Sequence, residues 1–284
     1  MRHTLIAMAT VLLVAACGNS TVVSEGDPVS SPYDGPMSLP IDHGDEAVVT
    51  ERSGAAGRAM ECDGDPYNGG GADYDDGLAS VQDTATDALE NFVEEEWLSS
   101  PLPVEGYRIE REDDGRVLFS YDVDARTKIA FIAADDVRDY NDDEGWGVES
   151  WAQCDPAELP SSVTEALGIE VWEDTSGARV PLTKIHSFQG ADHCDWQDIT
   201  FLLFDSDGDT TEYIRDPSGE LADYLLTTYD ASADLPDGAT DTGLRRDGRQ
   251  LWLVTNRDAA YLVSIDDSDD VERWPASKEP IRCA

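Results

Sequence analysis

Lysine is almost absent from this chain of 284 residues, occurring only as Lys128, Lys184 and Lys278. Arginine carries nearly all the remaining positive charge, and 19 basic against 61 acidic residues leave a formal charge of −42. A surface so short of cations repels phosphate backbones and anionic headgroups, which excludes nucleic-acid binding. Histidine is scarce too, with four in all. No HExxH, GxSxG, SxxK or GxxxxGK run occurs, so the familiar zinc, serine-nucleophile and phosphate-loop chemistries lack their signatures. No apolar stretch reaches the roughly 20 residues of a spanning helix. No two cysteines stand at CxxC spacing, the usual framework of a structural zinc site. No catalytic set, metal site or cofactor is expected.

What is present begins at the amino end. Leu5–Ala16 is an apolar run behind Arg2-His3, and it ends on Val14-Ala15-Ala16 directly before Cys17. A basic start, a short apolar core and a small-residue ending make a secretory signal. The ending resembles the lipobox of bacterial lipoproteins. That resemblance implies cleavage after Ala16 and a diacylglyceryl group on Cys17. Two acyl chains suffice for stable anchoring, at about 0.8 kcal/mol per buried methylene. The expected location is therefore extracytoplasmic, on the outer face of a membrane.

With Cys17 set aside, Cys62, Cys154, Cys194 and Cys283 remain, an even number that suggests disulfides in an exported chain. Of the three possible pairings, the nearly equal spans favour Cys62 with Cys154 and Cys194 with Cys283. The expected organisation is a leader at 1–16, a lipid-anchored flexible tether at 17–60, a helix-plus-sheet module at 61–155, a connector at 156–168 and a β-rich module at 169–284. The tether reading rests on Gly, Pro, Ser and Asp without apolar periodicity, while Val48, Val49 and Met60 hint that its last part docks on the first module. As a coil it would reach about 35–40 Å. The fold class expected is α+β, with two small disulfide-clasped modules.

In the first module, apolar residues from Leu78 to Val93 fall at helical spacing and predict a helix over 76–97, capped by Asp75 or Asp76. Gly69-Gly70-Gly71 reads as a turn before it. Strands are predicted over 107–112, 116–123, 128–134 and 146–153, the first two joined by the hairpin signal Asp113-Asp114-Gly115. The helix should pack on one face of this antiparallel meander. The connector should hold a short helix over 161–167. In the second module strands are predicted over 169–173, 178–182, 198–204, 210–215, 249–255, 260–265 and 271–274, with a short helix over 221–227.

Several residues invite chemical readings. His186 and His193, near Asp192, Cys194 and Asp195, have the types of a general base or metal ligand, although a polar loop beside a disulfide accounts for them. Asp205-Ser206-Asp207-Gly208-Asp209 resembles a calcium-binding run, yet its glycine stands fourth, and strand candidates on both sides make it a hairpin turn. The acids between Asp135 and Glu144 read as a solvated loop. Trp146 and Trp151 share a strand at odd separation, which puts them on opposite faces of a regular strand.

The run Gly145–Pro156, with His193-Cys194-Asp195-Trp196-Gln197 and Glu272-Arg273-Trp274-Pro275, resembles uncharacterised exported lipoproteins of actinobacteria. That resemblance implies no activity and no catalytic residue. Together these features predict a non-enzymatic interaction or accessory protein of the cell envelope. It would be held to the membrane by lipid, with an envelope protein or glycan as partner. The alternative is an envelope hydrolase with paired carboxylates, which needs only two acids in a cleft.

Overall fold

The computed structural model describes residues 29–42, 44, 47–74, 80–96, 102–206 and 208–282. The chain is mainly antiparallel β-sheet with a few short helices. In the N-terminal half five strands form one sheet: β1 (Asn68–Gly71), β2 (Arg108–Asp113), β3 (Arg116–Val123), β4 (Arg126–Arg138) and β5 (Glu144–Gln153), in the order β1-β5-β4-β3-β2. The hairpin between β2 and β3 turns on Asp114 and Gly115, both at positive φ, as a two-residue mirror-image turn requires.

Helix α3 (Ala85–Glu96) covers one face of this sheet. Leu89 and Val93 are buried there against Phe119, Ile129, Phe131 and Trp151, with Phe92 edge-on to Phe131 at 5.7 Å. The helix starts later than predicted. Thr84 Oγ1 accepts the Asp87 N–H at 3.1 Å and donates to the Asp87 carboxylate at 2.7 Å, a reciprocal cap that fixes the first turn. Gln82, just before it, pairs with Trp146 in an isolated bridge. Asp75 and Asp76 lie outside the described residues.

The second face corrects the tether expectation. Helices α1 (Val49–Arg52) and α2 (Gly54–Ala59) lie on it, and Met37, Ala55, Ala56 and Ala59 are buried against Leu118, Ala130, Ile132 and Ala152. A segment without bulky residues reads as a tether, but small side chains allow its backbone to approach a sheet closely. The three glycines before α3 are likewise not a turn but strand β1, paired with β5 from Asn68↔Gln153 to Gly71↔Ser150. A Cβ at Gly69 would sit 2.5 Å from both Ser53 Oγ and Trp151 O. Only glycine fits where the α1–α2 junction crosses the sheet.

Two further predictions need adjustment. Strand β4 runs on to Arg138, so part of the expected acidic loop is ladder. Asp139 is buried, and its carboxylate accepts the N–H groups of Asn141 and Asp143 in the turn. Trp146 and Trp151 both pack on the α3 side. The register slips at Ile132↔Ser150 and Ala133↔Val148, leaving Glu149 as an extra residue. That bulge cancels the odd spacing.

Cys62 and Cys154 are joined in a disulfide, with Cα atoms 5.3 Å apart. Helix α4 (Ser161–Ala166) follows, close to its predicted position. Asp155 ties this connector to the C-terminal half, its carboxylate accepting from Ala157 N at 2.8 Å and Leu182 N at 3.0 Å.

The C-terminal half holds two four-stranded sheets. One is β6 (Glu170–Val171), β7 (Ile185–Gln189), β8 (Thr200–Ser206) and β9 (Asp209–Arg215); the other is β10 (Thr240–Arg246), β11 (Arg249–Leu253), β12 (Ala259–Ser264) and β13 (Val271–Pro275). Bridges Glu173↔Arg245 and Tyr213↔Ala276 join their edges, so the strands surround one core. Trp172, Ile185, Leu202, Tyr213, Leu244, Leu251, Leu262 and Trp274 fill it. The predicted strand 178–182 is only a bridge from Arg179 to Glu173, and the predicted helix 221–227 is a 3-10 turn at Ala222–Tyr224. Strands β7 and β10 were not predicted.

Candidate functional site

Alternation along the surrounding strands turns one end of the inner surface polar. Two positions from inward Leu244 comes Arg246, and two from Leu251 comes Arg249. In the same way Tyr213 leads to Arg215, Ile185 to Ser187, Trp172 to Glu170 and Trp274 to Glu272. The result is a pocket of about 220 Å³ lined by these polar residues and the two indoles. Basic residues are few in this chain, 19 against 61 acids, yet three arginines meet here.

Two carboxylates organise the pocket. Glu272 Oε2 accepts from Trp274 Nε1 at 2.9 Å and Tyr229 OH at 3.2 Å, and lies 3.5 Å from Arg215 Nε. Its Oε1 is 3.2 Å from Arg249 Nη2. The Arg215 guanidinium in turn stands 5.7 Å over the Tyr229 ring. Glu170 makes a close ion pair with Arg246 and accepts the Ser187 hydroxyl. Ser187 Oγ also receives Arg246 Nη1 at 2.8 Å and Trp172 Nε1 at 3.2 Å. A hydroxyl that accepts from two donors and is 1% exposed has no lone pair free for attack. These groups hold one another in place.

A second pocket of about 310 Å³ adjoins the first, sharing Glu170, Arg246 and Asp247 with it and reaching Thr164 of α4. A third, of about 550 Å³, lies at the start of α3 and is rimmed by Asp83, Glu112, Asp113 and Asp114. Its Arg116 is engaged by Glu149 at 2.8 Å and Asp136 at 3.5 Å.

The residues singled out in the sequence are scattered. His186 sits on β7 with Nδ1 2.9 Å from Leu182 O and its ring stacked on Phe188, whereas Asp192 and His193 lie on an exposed 3-10 turn. Cys194 is disulfide-bonded, so its thiol is not free; Cys283, Cys17 and the leader lie outside the described residues. Asp205 closes the β8–β9 turn by accepting Gly208 N at 3.2 Å and Thr210 Oγ1 at 3.3 Å. Among the described residues one group has metal-ligand types close together, Cys62, Cys154 and Glu158. The disulfide occupies both sulfurs, and Lys128 Nζ stands 2.6 Å from Glu158.

Among the described residues two glutamates have raised pKa values, Glu110 and Glu212, each chiefly through burial. Glu110 lies under the N-terminal segment, with Oε1 accepting Tyr33 N–H at 2.7 Å and Oε2 buried without a hydrogen-bond partner. Glu212 accepts Ile281 N–H at 3.2 Å and pairs with Arg282 at 3.4 Å. Neither carboxyl lines any of the three pockets.

Comparison of the chain with family models, curated proteins and solved structures finds no match. Among the described residues no helix is long and apolar enough to cross a membrane. The arginine and glutamate pocket was missed by sequence reasoning because its members span residues 170 to 274. The available signal was an arginine two positions from a core residue near a strand end.

Proposed function

We propose that this chain is an extracytoplasmic lipoprotein, anchored through Cys17, that acts as a non-enzymatic interaction or accessory protein of the cell envelope. It would comprise two modules, each clasped by a disulfide, with Cys283 closing the second onto Cys194. The observation that carries this reading is the Cys62–Cys154 disulfide, because such bonds persist in oxidising compartments. The Val14-Ala15-Ala16-Cys17 ending supports the anchor. The polar pocket, with the Ser187 hydroxyl engaged by two donors and Glu170 and Glu272 each paired with arginine, supports binding over turnover. The hydrolase alternative receives less support, since neither of the two carboxyls with raised pKa values lines one of the three pockets described.

Fractionation with mass spectrometry of the amino-terminal peptide tests the proposal. The expected product begins at a diacylated Cys17 in the membrane fraction, and Cys17→Ala moves the protein out of it. An intact leader on a soluble protein with reduced thiols would overturn the reading.

A further inference from the structure

The pocket beside α4 contains guanidinium donors that the fold leaves incompletely used. Arg179 donates to Leu159 O and, at 2.9 Å, to Thr164 Oγ1, both uncharged, and it makes no ion pair among the described residues. Arg245 spends Nη2 on Asp241 at 3.2 Å, while its Nη1 is buried without a hydrogen-bond partner. Arg246, by contrast, is occupied by Glu170, Ser187 and Asp247. A buried donor left unmet is unfavourable, and more so when it is charged. Two under-used guanidiniums lining one cavity make a receptor for an acceptor-rich group.

The same walls limit what that group can be. Glu165 and Glu173 also line the pocket and make no side-chain hydrogen bond or ion pair among the described residues. With Glu170 and Asp247 they would repel a second negative charge, which disfavours a phosphate dianion. A single carboxylate matches the planar fork of a guanidinium, and hydroxyl or ammonium groups beside it would satisfy Glu165 and Glu173. The volume of about 310 Å³ is at the lower end of small-molecule sites, about 300–1,000 Å³.

We propose that this pocket binds a small molecule with a single carboxylate and neighbouring hydroxyl or ammonium donors, its carboxylate on Arg179 and Arg245 and its donors on Glu165 and Glu173. A sugar acid and an amino acid share this chemistry. The inference deepens the binding reading and rests on it for its role in the envelope, although the pocket itself needs no lipid.

Isothermal titration of the purified full chain, taken from whichever cell fraction contains it, provides the test. Glucuronate and alanine are the two probes; glucose and inorganic phosphate are the controls. The expected result is binding of glucuronate or alanine, whichever source applies, with neither control bound. Arg245→Gln should weaken that binding about tenfold, with the native fold verified by an unchanged far-UV spectrum. Arg179→Lys should weaken it as well, but Arg179 also holds Leu159, so Arg245→Gln is the deciding variant. Binding of neither carboxylate, binding of phosphate instead, or equal affinity in Arg245→Gln would overturn the assignment. Carboxylate binding by an unlipidated, soluble chain would sink the anchor and keep the pocket. A diacylated membrane protein that binds neither probe would do the reverse.

Discussion

In the N-terminal sheet both faces are covered by remote parts of the chain, α3 on one side and residues 37–59 on the other. In the C-terminal half two sheets cover each other, and only their outer faces are left to loops, such as that carrying Leu221 and Leu225 against Phe201 and Ile214. The first arrangement depends on connections far apart in sequence, and a crosslink from Cys62 to Cys154 shortens the search for them. The second depends on strand register, and register also lines up the polar pocket at its end. Stability in one half should therefore follow covering segments and the clasp, whereas in the other it should follow core side chains.

The largest effect should come from the clasp. Replacing Cys62 and Cys154 by serine should cost about 4–5 kcal/mol on the chain-entropy account of a loop this long, measured by urea unfolding against the oxidised protein. Trp172→Ala should cost about 3–5 kcal/mol through the cavity it opens. If the two halves are as separate as their cores suggest, that loss should be the same with or without the clasp, within about 0.5 kcal/mol. A strong coupling between the two changes would break the comparison.

Met37→Ala comes next, at about 2–5 kcal/mol, because Met37 is buried on the sheet. A loose tether would show no loss at all, so this variant distinguishes cover from tether directly. Thr84→Ala removes the α3 cap and should cost about 1 kcal/mol, read from the same unfolding curves. The smallest effect is a slope. Burial raises the Glu110 pKa, so the folded chain retains that proton to higher pH than the unfolded chain. Its contribution to stability is therefore complete below the unfolded carboxyl value and declines as pH rises through the carboxyl range. Glu110→Gln should remove that decline, and its stability relative to the parent should improve as pH increases from 4 to 7 in denaturant titrations.

How much of this was legible in the sequence differs between the same two regions. Strand β3 could be read from its composition and from Asp114-Gly115, because a local turn sets its pairing. Helix α3 was legible from the spacing of Leu89, Phe92 and Val93, but not its start, since the Thr84–Asp87 cap competes with a longer apolar pattern. Strand β1 was illegible: Asn-Gly-Gly-Gly has no strand propensity, and its conformation is imposed by Ser53 crossing above Gly69. Strand β10 contains a register irregularity between Asp241 and Arg245, which hides its alternation. The covering segment was misread because Ala55, Ala56 and Ala59 bury little area each and fit by closeness rather than bulk. The pocket was beyond reach for a different reason. Glu170 and Arg246 become neighbours only once the ring of strands closes, and no local pattern encodes that closure.

The buried Val29 and the bond from Ser30 N to Ala125 O at 3.2 Å fasten the amino-terminal side of the folded body early in the chain. If Cys17 carries the proposed lipid, the dozen or so residues before Val29 could span at most about 40 Å even when fully drawn out. A partner deep in a thick wall would then have to come to this protein, whose working radius ends close to the bilayer.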